Sequence, residues 1–170
     1  MIVLITGTTH TGKTVLAQKL LEKYKFPYLS IDLLKMGLIR SNQTKISVTD
    51  DEKLTPYIWG IIKEIIKTAI ENEQNLIVEG CYIPFDWAKE FNKEYLLKIK
   101  YFCLIMSKDY IQKHFSDILA NESIVEQRLT SGDLVQGNLI KENESNLQMC
   151  KKYGLNCILI DTEYKVDIEL

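Results

Sequence analysis

The amino-acid sequence predicts an α/β fold in which helices cover both faces of a mostly parallel β-sheet. Three observations support this fold class. Five short apolar runs alternate with stretches whose apolar residues recur at helical spacing. One of these runs, residues 99–106, is almost entirely apolar, which is typical of a strand buried on both faces. The length of 170 residues, of which 46% are hydrophobic and 26% charged, suits one domain with a substantial core.

The strands and helices can be placed in chain order. Strands are predicted from the apolar runs at residues 2–5, 28–31, 76–78, 99–106 and 157–160. Helices are predicted over residues 14–24, 33–40, 56–71, 108–119 and 135–153. Phe26-Pro27 ends the first helix and Gly154 ends the last. For the third helix, Thr55 is the expected N-cap and Pro56 the first helical residue, after a polar loop over residues 41–51.

The most specific motif is Gly7-Thr8-Thr9-His10-Thr11-Gly12-Lys13-Thr14, between the first predicted strand and the first predicted helix. Its pattern is G-x-x-x-x-G-K-T. The glycines allow turns in which successive N–H groups point into one concavity, and the helix N-terminus adds partial positive charge there. Lys13 can reach the β- and γ-phosphates, and the Thr14 hydroxyl can ligate Mg²⁺. The motif therefore predicts that these eight residues bind the phosphates of a nucleotide.

Polar residues also follow the other predicted strands, and ligands of open α/β sheets bind at these carboxyl ends. Asp32, Glu79, Ser107 and Asp161 stand at these positions. A carboxylate there can hold Mg²⁺ through water or accept a proton from an attacking hydroxyl. Asp32 is predicted to be catalytic, Asp32 and Glu79-Gly80 to bind an acceptor, and Glu79 to ligate the metal. A helix N-cap is the alternative interpretation of Asp32, and it is the preferred one for Ser107 and Asp161.

Arginine is scarce, since only Arg40 and Arg128 occur among the 21 Lys and Arg residues. Arginine can be retained where a bidentate fork is needed. Arg40 follows the helix after Asp32, where a second substrate would lie, and is predicted to bind an anionic acceptor. Arg128 is predicted to be catalytic, closing over the phosphates from a lid at about residues 120–137. Chance placement on a solvated surface is the alternative for both arginines.

Composition and charge argue against several classes of protein. A net charge of −2 and a pI near 5.8 provide no basic field for nucleic acid or anionic lipid. The four cysteines show no C-x-x-C pairing, which argues against a zinc site and fits a reducing compartment. No apolar run approaches 18 residues, and Met1 leads directly into the first predicted strand, so no membrane span or signal peptide is expected. These observations predict a cytoplasmic protein without a nucleic-acid or membrane partner, and they leave its oligomeric state open.

The phosphate motif, the strand-terminal Asp32 and the run Leu76-Ile77-Val78-Glu79-Gly80 together resemble the small P-loop kinases of metabolites and nucleotides. Adenylate, shikimate and gluconate kinases belong to this group. The segment from Glu79-Gly80 to Pro84, with Asp109 and His114, is similar to 2-phosphoglycerate-kinase-type proteins. The resemblance implies a three-layer P-loop NTPase fold of sheet order 2-3-1-4-5, use of ATP and Mg²⁺, and an arginine-bearing lid. The chain would be a single domain over residues 1–170, with an acceptor-binding insert at about 33–60.

The predicted function is ATP-dependent transfer of a γ-phosphate to a small-molecule acceptor. Lys13 would polarise the γ-phosphate, and Asp32 would orient the acceptor. An adenylate-kinase-like nucleoside monophosphate kinase is one alternative, although such kinases usually carry more arginines unless lysines such as Lys35 and Lys45 substitute. A nucleotide-binding regulator or an ATPase without an acceptor is another, and a toxin-like kinase of nucleotide sugars shares the same motifs. A GTPase is disfavoured, because neither Asn-Lys-x-Asp nor D-x-x-G occurs.

Overall fold

A computed structural model describes residues 1–121 and 134–170. In this part of the chain the strands are β1 (Ile2–Gly7), β2 (Tyr28–Ser30), β3 (Leu76–Glu79), β4 (Ile99–Met106) and β5 (Cys157–Ile160). The helices are α1 (Lys13–Tyr24), α2 (Ile31–Arg40), α3 (Asp51–Glu71), α4 (Lys93–Leu96), α5 (Lys108–Ala120) and α6 (Gln136–Tyr153), with a 3₁₀ turn at Trp87–Glu90. The alternating order of strands and helices predicted from the sequence is confirmed.

The strands form one sheet in the order β2-β3-β1-β4-β5, and every ladder between neighbours is parallel. The predicted order 2-3-1-4-5 is therefore correct. β1 lies at the centre, and all its residues are buried. The connection that leaves β1 leads to β2 on one side, whereas the connection that leaves its neighbour β3 leads to β4 on the other side. A crevice for ligands is expected at such a switch point, beside the carboxyl end of β1.

Helices pack on both faces of the sheet and give it three layers. The alternating side chains of β1 divide between two apolar clusters, because successive residues of a strand point to opposite faces. Ile2 and Leu4 pack with the apolar stripe of α3. Val3 and Ile5 pack with apolar residues of α1 and α5. This burial of both faces explains why β1 and β4 are nearly continuous hydrophobic runs.

The start of α3 differs from the prediction. Thr55 is not the N-cap, because the helix begins at Asp51 and Asp50 caps it, its side chain accepting a hydrogen bond from the Lys53 N–H at 3.3 Å. Acidic residues in the first turn favour this earlier start through the helix dipole. Pro56 lies inside the helix rather than at its first position. The missing N–H of one proline in the second turn removes a single helical hydrogen bond and does not end the helix.

Smaller differences occur at other ends of elements. Ile31 belongs to α2 rather than to the second strand. The turn Trp87–Glu90 and α4 were not predicted, because segments this short carry too few residues for a helical period. Asp161 caps no helix, since residues 161–170 continue without one and Asp161 is exposed. Ser107 does cap α5, with its hydroxyl accepting from the Tyr110 N–H at 3.0 Å.

The C-terminal segment, residues 161–170, runs back along α1. Val166 and Ile168 are buried in the same cluster as the apolar residues of α1. Glu169 accepts hydrogen bonds from Lys23 and from the Tyr24 hydroxyl. No helix within the described ranges has the combination of length and apolar character needed to cross a membrane.

Candidate functional site

The phosphate motif forms the connection from the carboxyl end of β1 to the N-terminus of α1, and two of its positions accept only glycine. Gly7 has φ +141°, and a Cβ there would lie 2.4 Å from the Leu104 carbonyl oxygen of β4. Gly12 has φ +80°, and a Cβ there would lie 1.8 Å from the Tyr164 hydroxyl oxygen. Both positions combine a backbone conformation that side chains rarely adopt with a close neighbour. The loop is therefore held tightly between β4 and the C-terminal segment.

Lys13 is held inside this loop. Lys13 is only 7% exposed, and its Nζ donates a hydrogen bond to the Thr8 carbonyl oxygen at 2.7 Å. The Thr11 hydroxyl donates to the same carbonyl at 2.9 Å. A cation in such a poorly solvated position interacts with nearby charge more strongly than it would in water. The arrangement suits an anion bound in the concavity of the loop.

His10 and Thr9 form the outer part of the loop. His10 has φ +63°, which is uncommon for a residue with a side chain. Its Nδ1 lies 2.9 Å from the Thr9 hydroxyl. Residues held in sparsely populated backbone conformations cluster at ligand-binding sites. The sequence pattern alone gave no indication of this backbone conformation at His10.

Thr14 and Glu79, the two predicted metal ligands, are brought together by the sheet. The β1–β3 ladder pairs Ile5 with Glu79, so the carboxyl end of β3 lies beside the loop. The Thr14 Oγ1 lies 3.4 Å from the Glu79 Oε2, and Glu79 is 2% exposed. Two oxygen donors side by side fit Mg²⁺, which binds through few protein oxygens and takes phosphate oxygens and water as further ligands. Within the described ranges no group of three or more His, Cys, Asp or Glu side chains is placed to hold a metal.

Asn143 of α6 supports the loop and was missed by the sequence analysis. The residue is 1% exposed. Its Nδ2 donates to the Thr8 Oγ1 at 2.9 Å and to the Leu139 carbonyl at 2.8 Å, while its Oδ1 accepts from the Met106 N–H at 2.8 Å. One side chain thus ties the loop to the end of β4. A sequence signal did exist, because Asn143 lies four residues after Leu139 on the apolar stripe of α6, where a polar residue is unusual.

Tyr164 of the C-terminal segment is a second contact that the sequence did not indicate. Its hydroxyl donates to the carbonyls of Thr11 at 3.3 Å and Gly12 at 3.4 Å. Burial raises the pKa of Tyr164 to about 12, so its hydroxyl remains a donor at neutral pH. No local motif marks this tyrosine, because its partners lie about 150 residues earlier in the chain.

The chain segment that leads into Asp32 lies beside Glu79 and Gly80 at the carboxyl ends of β2 and β3. Ser30, two residues earlier, pairs with Glu79 in the β2–β3 ladder. Gly80 has φ +155°, and a Cβ there would lie 2.7 Å from the Ile31 Cβ, so this glycine permits the close approach of the two chain segments. The N-cap interpretation of Asp32 is wrong, because Ser30 is the N-cap residue and Asp32 lies in the first turn of α2.

Asp32 also belongs to a side-chain network that joins three parts of the fold. The Lys35 Nζ lies 3.3 Å from the Asp32 Oδ1 and donates to the Tyr82 hydroxyl oxygen at 2.9 Å. The Tyr82 hydroxyl in turn donates to the Asp51 Oδ1 at 2.7 Å. Burial, followed by the hydrogen bond to Asp51, raises the pKa of Tyr82 well above its ordinary value. The phenol therefore stays protonated and links α2 to α3 through the segment after β3.

Arg40 is not among the residues that contact this network in the described part of the chain. Arg40 is exposed at the last position of α2. It lies eight positions after Asp32 in the helix, a distance of about 12 Å along the axis. Arg128 lies outside the described residues, as does most of the predicted lid. Within residues 1–121 and 134–170, the basic residue that contacts Asp32 is Lys35.

No family model and no curated protein matches the chain. A solved structure of a "putative kinase" from Chloroflexus aurantiacus J-10-fl is similar with a TM-score of 0.57 and 17% identity, covering 98% of this chain and 91% of that one. An uncharacterized protein from Eubacterium ventriosum ATCC 27560 is similar with a TM-score of 0.50 and 15% identity, over 96% and 90% of the two chains. A gluconokinase from Sinorhizobium meliloti 1021 matches with a TM-score of 0.44 and 13% identity, over 88% and 93%.

The first two structures share the fold of this chain, because the structural similarity extends over nearly all of each chain. The sequence identities, 17% and 15%, are low. The sheet order and the phosphate motif agree with this fold. The resemblance to P-loop small-molecule kinases that the sequence indicated therefore holds for the architecture of the chain.

Proposed function

We propose that this protein is an ATP-dependent phosphotransferase that transfers the γ-phosphate of MgATP to a small-molecule acceptor. One observation carries the proposal: the phosphate loop with its buried Lys13 lies at the same sheet edge as the carboxylates of Glu79 and Asp32. Phosphoryl transfer requires positioning and charge stabilisation rather than covalent chemistry by the protein. A phosphate cradle with adjacent carboxylates provides both.

The nucleotide half of the proposal assigns residues 7–14 to the phosphates of ATP. The loop N–H groups and the N-terminus of α1 would bind the phosphate oxygens. Lys13 would exchange its contact with the Thr8 carbonyl for the β- and γ-phosphates. Thr14 and Glu79 would hold Mg²⁺, which neutralises charge on the phosphates when bound. The residues present fit this ion, because both offer oxygen donors at one point of the site.

The acceptor half assigns Asp32 to the hydroxyl that receives the phosphate. Asp32 would accept a hydrogen bond from that hydroxyl and orient it, and Glu79-Gly80 would form the adjoining wall. The insert at 33–60 would supply the rest of the acceptor site, and a lid at 120–137 would close over it with Arg128. The chain would work as a single cytoplasmic domain.

A coupled assay of ADP release tests the proposal. The protein is given MgATP with nucleoside monophosphates, 2-phosphoglycerate, shikimate, gluconate or nucleotide sugars, one at a time. We expect release above background with one acceptor and a fall of about a hundredfold or more in Lys13→Ala, because the buried cation is lost from the phosphate site. Lys141→Ala is the control, since Lys141 is an exposed lysine on α6.

The possible outcomes separate the candidate functions. Release with a nucleoside monophosphate would identify the adenylate-kinase-like alternative, and release with another acceptor would identify the substrate class. ATP hydrolysis that no acceptor accelerates would contradict the kinase assignment and favour an ATPase or regulator. Failure of ATP to bind, measured by isothermal titration, would contradict the nucleotide site itself.

A further inference from the structure

The network of Asp32, Lys35, Tyr82 and Asp51 has features that an ordinary surface ion pair lacks. The Lys35 side chain is only 14% exposed, whereas that of Asp32 is 45% exposed. The Lys35 Nζ also lies 5.0 Å from the centroid of the buried Tyr82 ring. The ammonium is therefore fixed from two sides, by the ring and hydroxyl of Tyr82 and by the carboxylate of Asp32. For an exposed lysine, the loss of side-chain entropy would offset most of what such a contact contributes.

The hydrogen bonds in this network have a direction. Lys35 donates a hydrogen bond to the Tyr82 hydroxyl oxygen. The Tyr82 hydroxyl in turn donates a hydrogen bond to Asp51 at the start of α3. Tyr82 can adopt only this orientation while it bonds both partners, because its single O–H is used by Asp51. Asp51 thus fixes Tyr82, Tyr82 fixes Lys35, and Lys35 fixes one oxygen of Asp32.

We infer that Lys35 and Tyr82 are positioning residues that hold the Asp32 carboxylate in one orientation toward the acceptor hydroxyl. This inference rests on the proposed function, since it assigns the neighbours of Asp32 to the same phosphoryl transfer. Neither residue is required to contact the reacting atoms. Their role follows from geometry, because a partly exposed aspartate in the first turn of a helix can adopt several rotamers and only one would meet the acceptor.

Single substitutions give the first part of the test. With the acceptor identified by the coupled assay, Lys35→Met should lower the acceptor-dependent kcat by about a hundredfold and Tyr82→Phe by about tenfold, because misplacing a positioned group by about 1 Å has effects of this size. The KM for ATP should stay within about twofold of the wild-type value, since the phosphate loop is unchanged. Lys35→Arg keeps a cation between Asp32 and Tyr82 and should recover most of the lost rate.

Two controls come from contacts of the same chemical type at more exposed positions elsewhere in the chain. Lys89→Met removes the lysine of another Asp–Lys pair with the same spacing, Asp86–Lys89. Tyr95→Phe removes a hydroxyl that donates to Glu71 at 2.6 Å, a carboxylate at the opposite end of α3 from Asp51. Both controls should keep the wild-type kcat. Their thermal unfolding gives the baseline for any loss of stability in the Lys35 and Tyr82 variants.

A double substitution tests whether Lys35 acts through Asp32. In an Asp32→Asn background, Lys35→Met should lower kcat by less than about twofold further, because the carboxylate that Lys35 positions is already absent. Full additivity of the two effects would overturn the inference, and so would wild-type kcat in both Lys35→Met and Tyr82→Phe. A loss of rate that merely follows loss of folded protein would overturn it as well. If the wild-type protein shows no acceptor-dependent turnover, the proposed function fails first and the inference fails with it.

Discussion

At the scale of single residues, the candidate site depends on buried polar side chains that make several hydrogen bonds each. Asn143 illustrates this, because its amide makes hydrogen bonds with the Thr8 hydroxyl, the Leu139 carbonyl and the Met106 N–H. A buried side chain that satisfies three groups at once becomes costly to remove, since each group left behind loses its partner without regaining water. Asn143 therefore contributes to the stability of the fold and to the shape of the phosphate loop together.

Replacing this side chain should show both effects. Asn143→Ala should lower the free energy of unfolding by about 2–3 kcal/mol, because the Met106 N–H and the Thr8 hydroxyl lose a buried partner. It should also weaken ATP binding, because Thr8 is part of the loop. Urea unfolding and isothermal titration with MgATP measure the two quantities. Asn138→Ala, at an exposed position on the same helix, is the control and should change neither.

At the scale of whole elements, the C-terminal segment acts as a brace between α1 and the phosphate loop. Val166 and Ile168 anchor it in the apolar cluster of α1, and Tyr164 then reaches the loop carbonyls. Val166→Ala should lower the free energy of unfolding by about 1–3 kcal/mol through the cavity it leaves. Because Tyr164 lies two residues away, ATP binding should weaken as well.

The exposed Val48 supplies the control for this prediction, since the same valine-to-alanine change there removes little buried surface. Chemical denaturation and ATP titration of both variants are the measurements. An unchanged ATP affinity in a destabilised Val166→Ala would show that the segment supports the fold without supporting the loop.

The elements also show which features a sequence can reveal. Five strands and the phosphate motif were predictable, because apolar runs and glycine spacing record local requirements along the chain. The sheet order was expected from the resemblance to P-loop kinases alone. The predicted start of α3 was wrong, because a proline is typical of a first helical position, whereas Pro56 lies inside this helix and Asp50 caps it. Tyr82, Tyr164 and Asn143 could not be assigned, since their contacts join positions 31 to 153 residues apart. Such pairings are visible only once the fold is known.

At the scale of the whole molecule, the ionisable groups determine the pH range in which the fold is stable. Hydrogen bonds from lysines lower the pKa of Asp50, Glu90 and Glu169, so their small contributions are present above their ordinary values near 4 and are lost in acid. Burial instead raises the pKa of Cys103 and Tyr101, which lie in one apolar cluster of the core. Buried thiol and phenol groups therefore contribute to the loss of stability in alkali, and surface carboxylates contribute to its loss in acid.

Cys103 contributes to the loss of stability in alkali, as does Cys150, whose pKa is also raised from 9.0 by burial. Burial raises the pKa of the Cys103 thiol above its ordinary value of 9.0, so above pH 9 the unfolded chain releases a proton that the folded chain retains. The unfolded state then binds fewer protons, and the free energy of unfolding should fall by about 1.4 kcal/mol per pH unit for this group.

Urea unfolding at intervals from pH 7 to pH 10.5 measures the slope of the free energy of unfolding against pH. Cys103→Ala should reduce the slope above pH 9 by about that amount, whereas Cys81→Ala, at an exposed cysteine, should leave the wild-type slope. Equal slopes in Cys103→Ala and the wild-type protein would show that another buried group sets the alkaline limit.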